Sequence, residues 1–206
     1  MAIEEVDLEA LIFINFKQAL GFGHVGWGFQ LDGGAEGESR YVFGSSDHLY
    51  RHSYLNLWQL VRYSHVPRGG DTDFWIAFGS REDMLAAMKS GPHIVYHAAK
   101  VLPVEDARPG CVEPMAQRLR YMGWSILGNN CVDQALQLLR AYGVPDRDLG
   151  YLQEDSRHYS MQEALSRKML RLGDTTLISP VSWFESLPGK VIQLFDVQFG
   201  LVGSGS

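Results

Sequence analysis

A helix that opens directly on a cysteine is the feature that most constrains this chain. Gly128, Asn129 and Asn130 form a turn signal, and Cys131 is the first residue after it. Apolar residues then recur at helical spacing (Leu136, Leu138, Leu139 and Tyr142) until Gly143-Val144-Pro145 ends the segment. The sequence therefore predicts an amphipathic helix that packs on a core and carries a thiol at its N-terminus.

This position of Cys131 allows two interpretations. A thiol in the first turn of a helix faces unpaired backbone N–H groups and the positive end of the helix dipole. Both features favour the thiolate and lower its pKa, as a nucleophile near neutral pH requires. A free cysteine is more often a small buried apolar residue, so the position alone does not make a catalyst.

A glycine-rich strand about a hundred residues upstream supplies a candidate base. His24 opens the segment His-Val-Gly-Trp-Gly-Phe-Gln, in which small residues would let another segment or a substrate approach the ring. A histidine merely packed at the end of such a strand is the alternative. A cysteine nucleophile needs a base that is close in space and not necessarily close in sequence, which links His24 to Cys131.

The two motifs together, a histidine opening an "HVGxG" strand and "NNC" opening a later helix, resemble those of the circularly permuted papain-like thiol hydrolases. That group includes permuted NlpC-type peptidases, lecithin:retinol acyltransferase-like proteins and PPPDE-like peptidases, in which the histidine precedes the cysteine. The resemblance covers about residues 10–143. It implies an α+β fold with a central antiparallel sheet, with Cys131 as nucleophile and His24 as base.

The remaining periodicity agrees with an α+β fold. Strands are predicted over Thr72–Phe78 and His93–Val101, and helices over Glu82–Lys89 and Pro114–Met122. Strands mixed with helices, where strands distant in sequence share a sheet, are typical of a central antiparallel sheet packed against helices.

The third catalytic group is ambiguous in the sequence. Many relatives orient the histidine through a polar side chain on the next strand, here predicted over Arg40–Gly44. The position expected to face His24 is Phe43, which accepts no hydrogen bond. Ser45, Asp47 and His48 lie just beyond it and are the candidates; a dyad without a third group is also known in the PPPDE-like branch.

Four further side chains are expected around the thiol. The backbone N–H of Cys131, with the side chain of Asn129 or Asn130, would stabilise an oxyanion. Trp27 and Trp124 would line an apolar substrate cleft suited to an acyl group or a bulky side chain; core packing is the alternative for both.

Composition limits the partners. The chain has 206 residues, is 46% apolar and carries a net charge of −6, with no basic run, which argues against nucleic-acid or anionic-membrane binding. No apolar segment is long enough to span a bilayer, and the acidic start does not resemble a signal peptide. Two cysteines do not make a disulfide framework. A cytoplasmic protein is therefore expected.

A metal site is not expected. His93 and His97 lie four residues apart, which on a strand separates their Cα atoms by about 13 Å, too far for easy binding of one ion. No cofactor is predicted.

Residues 1–202 are predicted to form one domain, with an elaboration from 144 and a flexible tail at 203–206. In the elaboration, a helix is predicted over Ser160–Leu172, a turn over Trp183–Pro188 and a strand over Val191–Phe195. These elements could form a subdomain, contribute specificity or complete the core.

The sequence thus predicts a cysteine-dependent hydrolase that cleaves a peptide or isopeptide bond through a thioester. A thiol acyltransferase or esterase acting on an acyl substrate is the second hypothesis. A binding or scaffolding protein that retains the fold without turnover is the third.

Overall fold

A computed structural model describes residues 7–18, 22–33, 39–46, 74–90, 94–122, 129–150, 170–172 and 175–195. The strands are β1 (Leu8–Asn15), β2 (His24–Gln30), β3 (Tyr41–Ser46), β4 (Phe74–Gly79), β5 (Ala98–Val104), β6 (Leu170–Leu172), β7 (Thr175–Leu177) and β8 (Lys190–Gln193). Six of them form one antiparallel sheet in the order β4-β3-β2-β1-β5-β8, and β6 pairs with β7 separately. The predicted central antiparallel sheet is confirmed.

Helices complete an α+β architecture. Those in the described ranges are α1 (Arg81–Ser90), α2 (Val112–Met122), α3 (Cys131–Tyr142) and α4 (Pro180–Ser186), with short 3-10 turns at Pro109–Cys111 and Asp146–Asp148. The predicted helix over 131–142 is confirmed at both ends. None of the helices in these ranges is long and apolar enough to cross a membrane.

The sheet separates two apolar layers. On one face, Val25, Trp27 and Phe29 of β2 belong to a core cluster that includes apolar residues of α2, α3 and α4. On the other face, Phe13 and Phe43 belong to a second cluster with Met84 and Met88 of α1. Alternation along β2 therefore assigns odd positions to the α3 face and even positions, including His24, to the α1 face.

Helix α3 packs against β2 and runs in the same direction as that strand. At its last residue, the hydroxyl of Tyr142 donates to the backbone oxygen of Gln30, 2.7 Å away, at the far end of β2. The rings of Tyr142 and Phe29 also lie with their centroids 5.0 Å apart. The N-terminus of α3 is therefore directed towards the end of β2 that begins with His24.

The segment after residue 177 completes the core. Strand β8 pairs with β5, and Trp183 and Phe184 of α4 are buried in the cluster on the α3 face. The turn predicted over Trp183–Pro188 is wrong, because Ser179 caps a helix that starts at Pro180 and includes these aromatic residues. The helix predicted over Ser160–Leu172 is wrong at its end, since Leu170–Leu172 pairs with β7; its residues 160–169 lie outside the described ranges.

Strand β5 starts later than predicted. The backbone before Ala98 is used by other partners: Nδ2 of Asn15 donates to the oxygen of Val95, and the N–H of Tyr96 donates to the oxygen of Met88. These contacts bring residues 94–97 off the regular ladder and over the α1 face. Strand β5 also ends three residues later than predicted, at Val104, whereas the described boundaries of α1, α2, β3, β4 and β8 lie within two residues of the predicted ones.

Candidate functional site

Asn130 fixes the start of α3. Its Oδ1 accepts from the backbone N–H groups of Val132, at 2.9 Å, and Asp133, at 3.1 Å. Asp133 returns a contact, since its Oδ2 accepts from the backbone N–H of Asn130 at 3.0 Å. This reciprocal capping box explains why the helix begins at Cys131.

The same contacts determine which hydrogen-bond donors near Cys131 are left to bind an oxyanion. The side-chain oxygen of Asn130 serves the cap, and the N–H of Gln134 donates to the backbone oxygen of Asn130. The N–H of Cys131, at the first helical position, has no acceptor within its own helix. It is thus the donor that helix geometry offers to a developing negative charge.

Asn129 is buried beneath this turn. Its backbone oxygen accepts from Nε2 of Gln134 at 3.3 Å, and its Oδ1 accepts from Nε2 of Gln137 at 3.5 Å. Asn129 therefore anchors the turn to α3; its predicted oxyanion role stays a prediction.

The thiol of Cys131 is largely enclosed. The residue is 7% exposed and belongs to the core cluster on the α3 face, whereas Cys111 is exposed. Both cysteines are free thiols. The predicted first-turn position is confirmed, whereas the residue is buried in the core cluster.

Asp133 places a second titratable group in the same turn. Burial raises the pKa of its carboxyl, and the hydrogen bond from the N–H of Asn130 opposes that shift. When this carboxylate is charged, it offsets part of the positive end of the helix dipole.

His24 is held by a serine on the neighbouring strand. Its Nε2 lies 3.1 Å from Oγ of Ser45, and both residues are buried. Register explains the contact, because Ser45 pairs with Gly26 and therefore lies on the same face as His24. Phe43 pairs with Gly28, one step further from His24, so the expectation that Phe43 faces the histidine is wrong.

Tyr96 also belongs to this group, although no sequence pattern predicts its role. Its hydroxyl donates to Oγ of Ser45 at 2.6 Å, and its ring centroid lies 6.2 Å from that of His24. The residue lies in a segment read as part of a strand, where a tyrosine carries no specific signal. Gly26 was the one available hint, since a glycine in a strand marks a close approach of another group.

His24 and Cys131 share one end of the sheet but belong to different layers. Ser45 and Tyr96 hold the histidine on the α1 side, while Cys131 lies with Val25 and Trp27 on the α3 side. The position of His24 at the first residue of β2 leaves its ring at the end of the sheet. A sulfur-to-imidazole contact stays a prediction.

Trp27 lies in the core and not on an open cleft wall, contrary to the prediction. It is 1% exposed, because alternation along β2 points it into the α3 face. Its Nε1 and Oγ of Ser46, both buried, have no hydrogen-bond partner within the described residues. Ser46 follows Ser45 in β3 and so faces the α3 side, which places both of these polar groups in the layer of Cys131.

The remaining predicted residues fall elsewhere. Asp47, His48 and Trp124 lie outside the described residues. A groove lined by Leu31, Pro109, Gly110, Glu113, Pro114 and Gln117 lies beyond the other end of β2 and shares no residue with the site.

Metal binding has no support within the described ranges, where no three His, Cys, Asp or Glu side chains cluster as ligands. His97 instead accepts a hydrogen bond at Nδ1 from the N–H of Phe16, 3.1 Å away, and stacks on the ring of Phe16. Burial, and then the charge of Lys17, lower the pKa of His97.

Comparisons with protein-family models, with curated proteins and with solved structures found no match to this chain. The likeness to permuted papain-like enzymes therefore rests on the motifs around His24 and Cys131.

Proposed function

We propose that this protein is a cysteine-dependent hydrolase of the permuted papain-like type, which cleaves a peptide or isopeptide bond with Cys131 as nucleophile and His24 as base. The observation that carries the proposal is the contact between Nε2 of His24 and Oγ of Ser45. It lies at the end of the sheet towards which the N-terminus of α3 is directed. A histidine oriented by a hydroxyl, near a helix that starts with a cysteine, is the arrangement that thiol catalysis requires.

The reaction has two steps. In the first, His24 takes the thiol proton, the sulfur of Cys131 forms a bond to the substrate carbonyl carbon, and the C–N bond breaks as the imidazolium returns the proton to the leaving amine. In the second, His24 removes a proton from water, whose oxygen attacks the thioester. The carboxylic acid leaves and the thiol is restored.

The backbone N–H of Cys131 stabilises the negative oxygen of each tetrahedral intermediate. Asn129 supports that donor indirectly, because its contacts with Gln134 and Gln137 hold the turn from which α3 starts.

Catalysis requires the ring of His24 to meet the thiol across the end of the sheet. Gly23 precedes His24 with a φ of 91°, in the left-handed region that glycine adopts readily. Without a side chain at this position, the approach between the ring and the layer of α3 is not blocked by the residue before it. A Cβ there would lie 2.7 Å from Cγ2 of Val181.

The acyl donor and the acyl acceptor together determine which reaction class results. With water as acceptor, an amide substrate makes the protein a peptidase or amidase, and an ester substrate makes it an esterase. With an amine or alcohol as acceptor, the protein is an acyltransferase. The free thiol of Cys131 suits a reducing compartment, so we place the activity in the cytoplasm.

Alkylation by iodoacetamide tests the proposal without knowledge of the substrate. The rates at Cys131 and Cys111 are measured in one sample by peptide mass spectrometry between about pH 5 and pH 9. An activated thiol keeps reacting well below pH 8, whereas an ordinary thiol has a pKa of about 8.5. We expect His24→Asn to slow Cys131 by about tenfold or more near neutral pH.

Cys111 is the internal control, because it is an exposed thiol in a 3-10 turn that follows Arg108, whose N–H donates to the backbone oxygen of Tyr142 at the opposite end of α3 from Cys131. Its rate should be the same in the wild type and in His24→Asn. If Cys131 reacts with the same pH profile in both proteins, the proposed dyad is wrong. Loss of p-nitrophenyl acetate hydrolysis in Cys131→Ala would link the thiol to turnover.

A binding or scaffolding protein without turnover is the second candidate. The observations that favour it are the enclosure of Cys131 and the assignment of His24 and Cys131 to different layers of the sheet. Under this alternative Cys131 is a packing residue, and His24→Asn leaves its alkylation unchanged.

A further inference from the structure

We propose that Tyr96 is a positioning residue that fixes, through Ser45, which nitrogen of His24 carries the proton. The inference rests on the function proposed above and adds to it a residue on the α1 side of the sheet. Tyr96 contacts neither the thiol nor the substrate in this scheme.

The contacts form a buried chain. The hydroxyl of Tyr96 donates to Oγ of Ser45 at 2.6 Å, and Nε2 of His24 lies 3.1 Å from the same oxygen. Oγ of Ser45 also donates to the backbone oxygen of Val25 at 3.3 Å. Tyr96 and Ser45 are both 0% exposed, so water does not compete for these partners.

Counting protons assigns the tautomer. A serine hydroxyl has one proton and two lone pairs, and the oxygen of Val25 can only accept. If Ser45 donates to Val25 and accepts from Tyr96, the remaining lone pair of Ser45 must accept from His24. All three contacts are satisfied together only when Nε2 of His24 carries the proton.

This tautomer is the one that a base needs. With the proton on Nε2, the lone pair of the neutral ring is on Nδ1, which accepts the proton of the Cys131 thiol. The ring then becomes an imidazolium whose Nε2–H continues to donate to Ser45. Nδ1 later releases the proton to the leaving group, and the original tautomer returns.

Gly26 makes room for this arrangement. A Cβ at Gly26 would lie 2.9 Å from Cζ and 3.0 Å from the hydroxyl oxygen of Tyr96. Any side chain there would have to push the phenol away from Ser45, which pairs with Gly26 across the two strands. The glycine of the His-Val-Gly motif is thus explained by the approach of Tyr96.

The test compares Tyr96→Phe with Tyr142→Phe. Both tyrosines are buried, and the hydroxyl of Tyr142 donates to the backbone oxygens of Gln30 and Glu9, at the far end of β2. The tautomer of His24 is read from its ¹⁵N chemical shifts above the pKa of the ring, and the alkylation rates of Cys131 and Cys111 are measured alongside.

We expect the wild type and Tyr142→Phe to hold the proton of His24 on Nε2. In Tyr96→Phe the ring should become a mixture of both tautomers, and Cys131 alkylation should slow by about three- to tenfold relative to Cys111, the factor that one neutral hydrogen bond supplies. Gly26→Ala should have the same two effects, because it displaces the same hydroxyl.

An unchanged tautomer in folded Tyr96→Phe would overturn the inference. A second outcome is a tautomer shift in Tyr96→Phe together with a Cys131 alkylation rate that is the same in the wild type and in His24→Asn. That outcome would support the positioning contact and reject only the proposed hydrolase. The two proposals therefore fail in distinguishable ways.

Discussion

Replacing Asn130 with alanine removes the cap on which the position of Cys131 depends. Two backbone N–H groups, those of Val132 and Asp133, lose an acceptor that now lies 2.9 Å and 3.1 Å away. The contact from the backbone N–H of Asn130 to Asp133 does not involve the deleted side chain. Half of the capping box is therefore lost and half is retained.

The expected cost follows from this count. Loss of an Asn cap destabilises a protein by about 1–2 kcal/mol, and a buried helix start belongs in the upper part of that range. For a chain of 206 residues, that cost lowers the melting temperature by about 2–8 °C. Fraying of the first turn should also move the thiol of Cys131 and the N–H beside it.

Urea denaturation of the wild type, Asn130→Ala and Asn130→Ser provides the assay. Serine retains a capping oxygen, so Asn130→Ser should recover most of the lost free energy of unfolding. An Asn130→Ala protein within about 0.5 kcal/mol of the wild type would refute the capping argument. So would an Asn130→Ser protein as unstable as the alanine variant.

Three further predictions concern buried groups. Burial lowers the pKa of His97 in the folded protein below its usual value of 6.5. Between these folded and unfolded pKa values, the unfolded chain therefore binds more protons than the folded protein. The free energy of unfolding should therefore rise with pH across that window and fall on acidification; His97→Gln should flatten this slope in denaturation series, and an unchanged slope would contradict the assignment. Gly44→Ala places a Cβ against the backbone oxygen of Trp75 and should cost about 2–4 kcal/mol, whereas Gly110→Ala, whose Cβ meets no atom of the described residues within 4 Å, should be neutral; equal stabilities would count against the packing account. Ser46→Ala removes a buried hydroxyl with no partner among the described residues, so the free energy of unfolding should stay constant or rise, and a loss above about 1 kcal/mol would reveal an overlooked contact.

The local signals in the sequence were sufficient for α3. The Gly-Asn-Asn turn, the apolar stripe and Gly143 determine both helix ends, because capping and the left-handed φ of 109° at Gly143 are local properties. The sequence limits the candidates for the polar partner of His24 to Ser45, Asp47 and His48. The strand register in the structure then shows that Ser45, and not Phe43, contacts the histidine.

What the sequence could not supply depends on long-range packing. Tyr96 reaches Ser45 because residues 94–97 leave the ladder, and no local pattern marks that departure. The sequence predicts a turn where the structure has the helix Pro180–Ser186, since a seven-residue helix stabilised by the burial of Trp183 shows little periodicity of its own. The sequence also does not show which face of β2 packs against α1 and which packs against α3, because that depends on how the whole sheet assembles.

The central claim is that His24 and Cys131 form one catalytic pair. A crystal structure of the protein with Cys131 alkylated by an irreversible electrophile would measure the distance from Sγ to the nearest ring nitrogen of His24. The account predicts about 4 Å, with Nδ1 as that nitrogen and Nε2 still bound to Ser45. A separation beyond about 8 Å, with the ring retained on the α1 side, would contradict it.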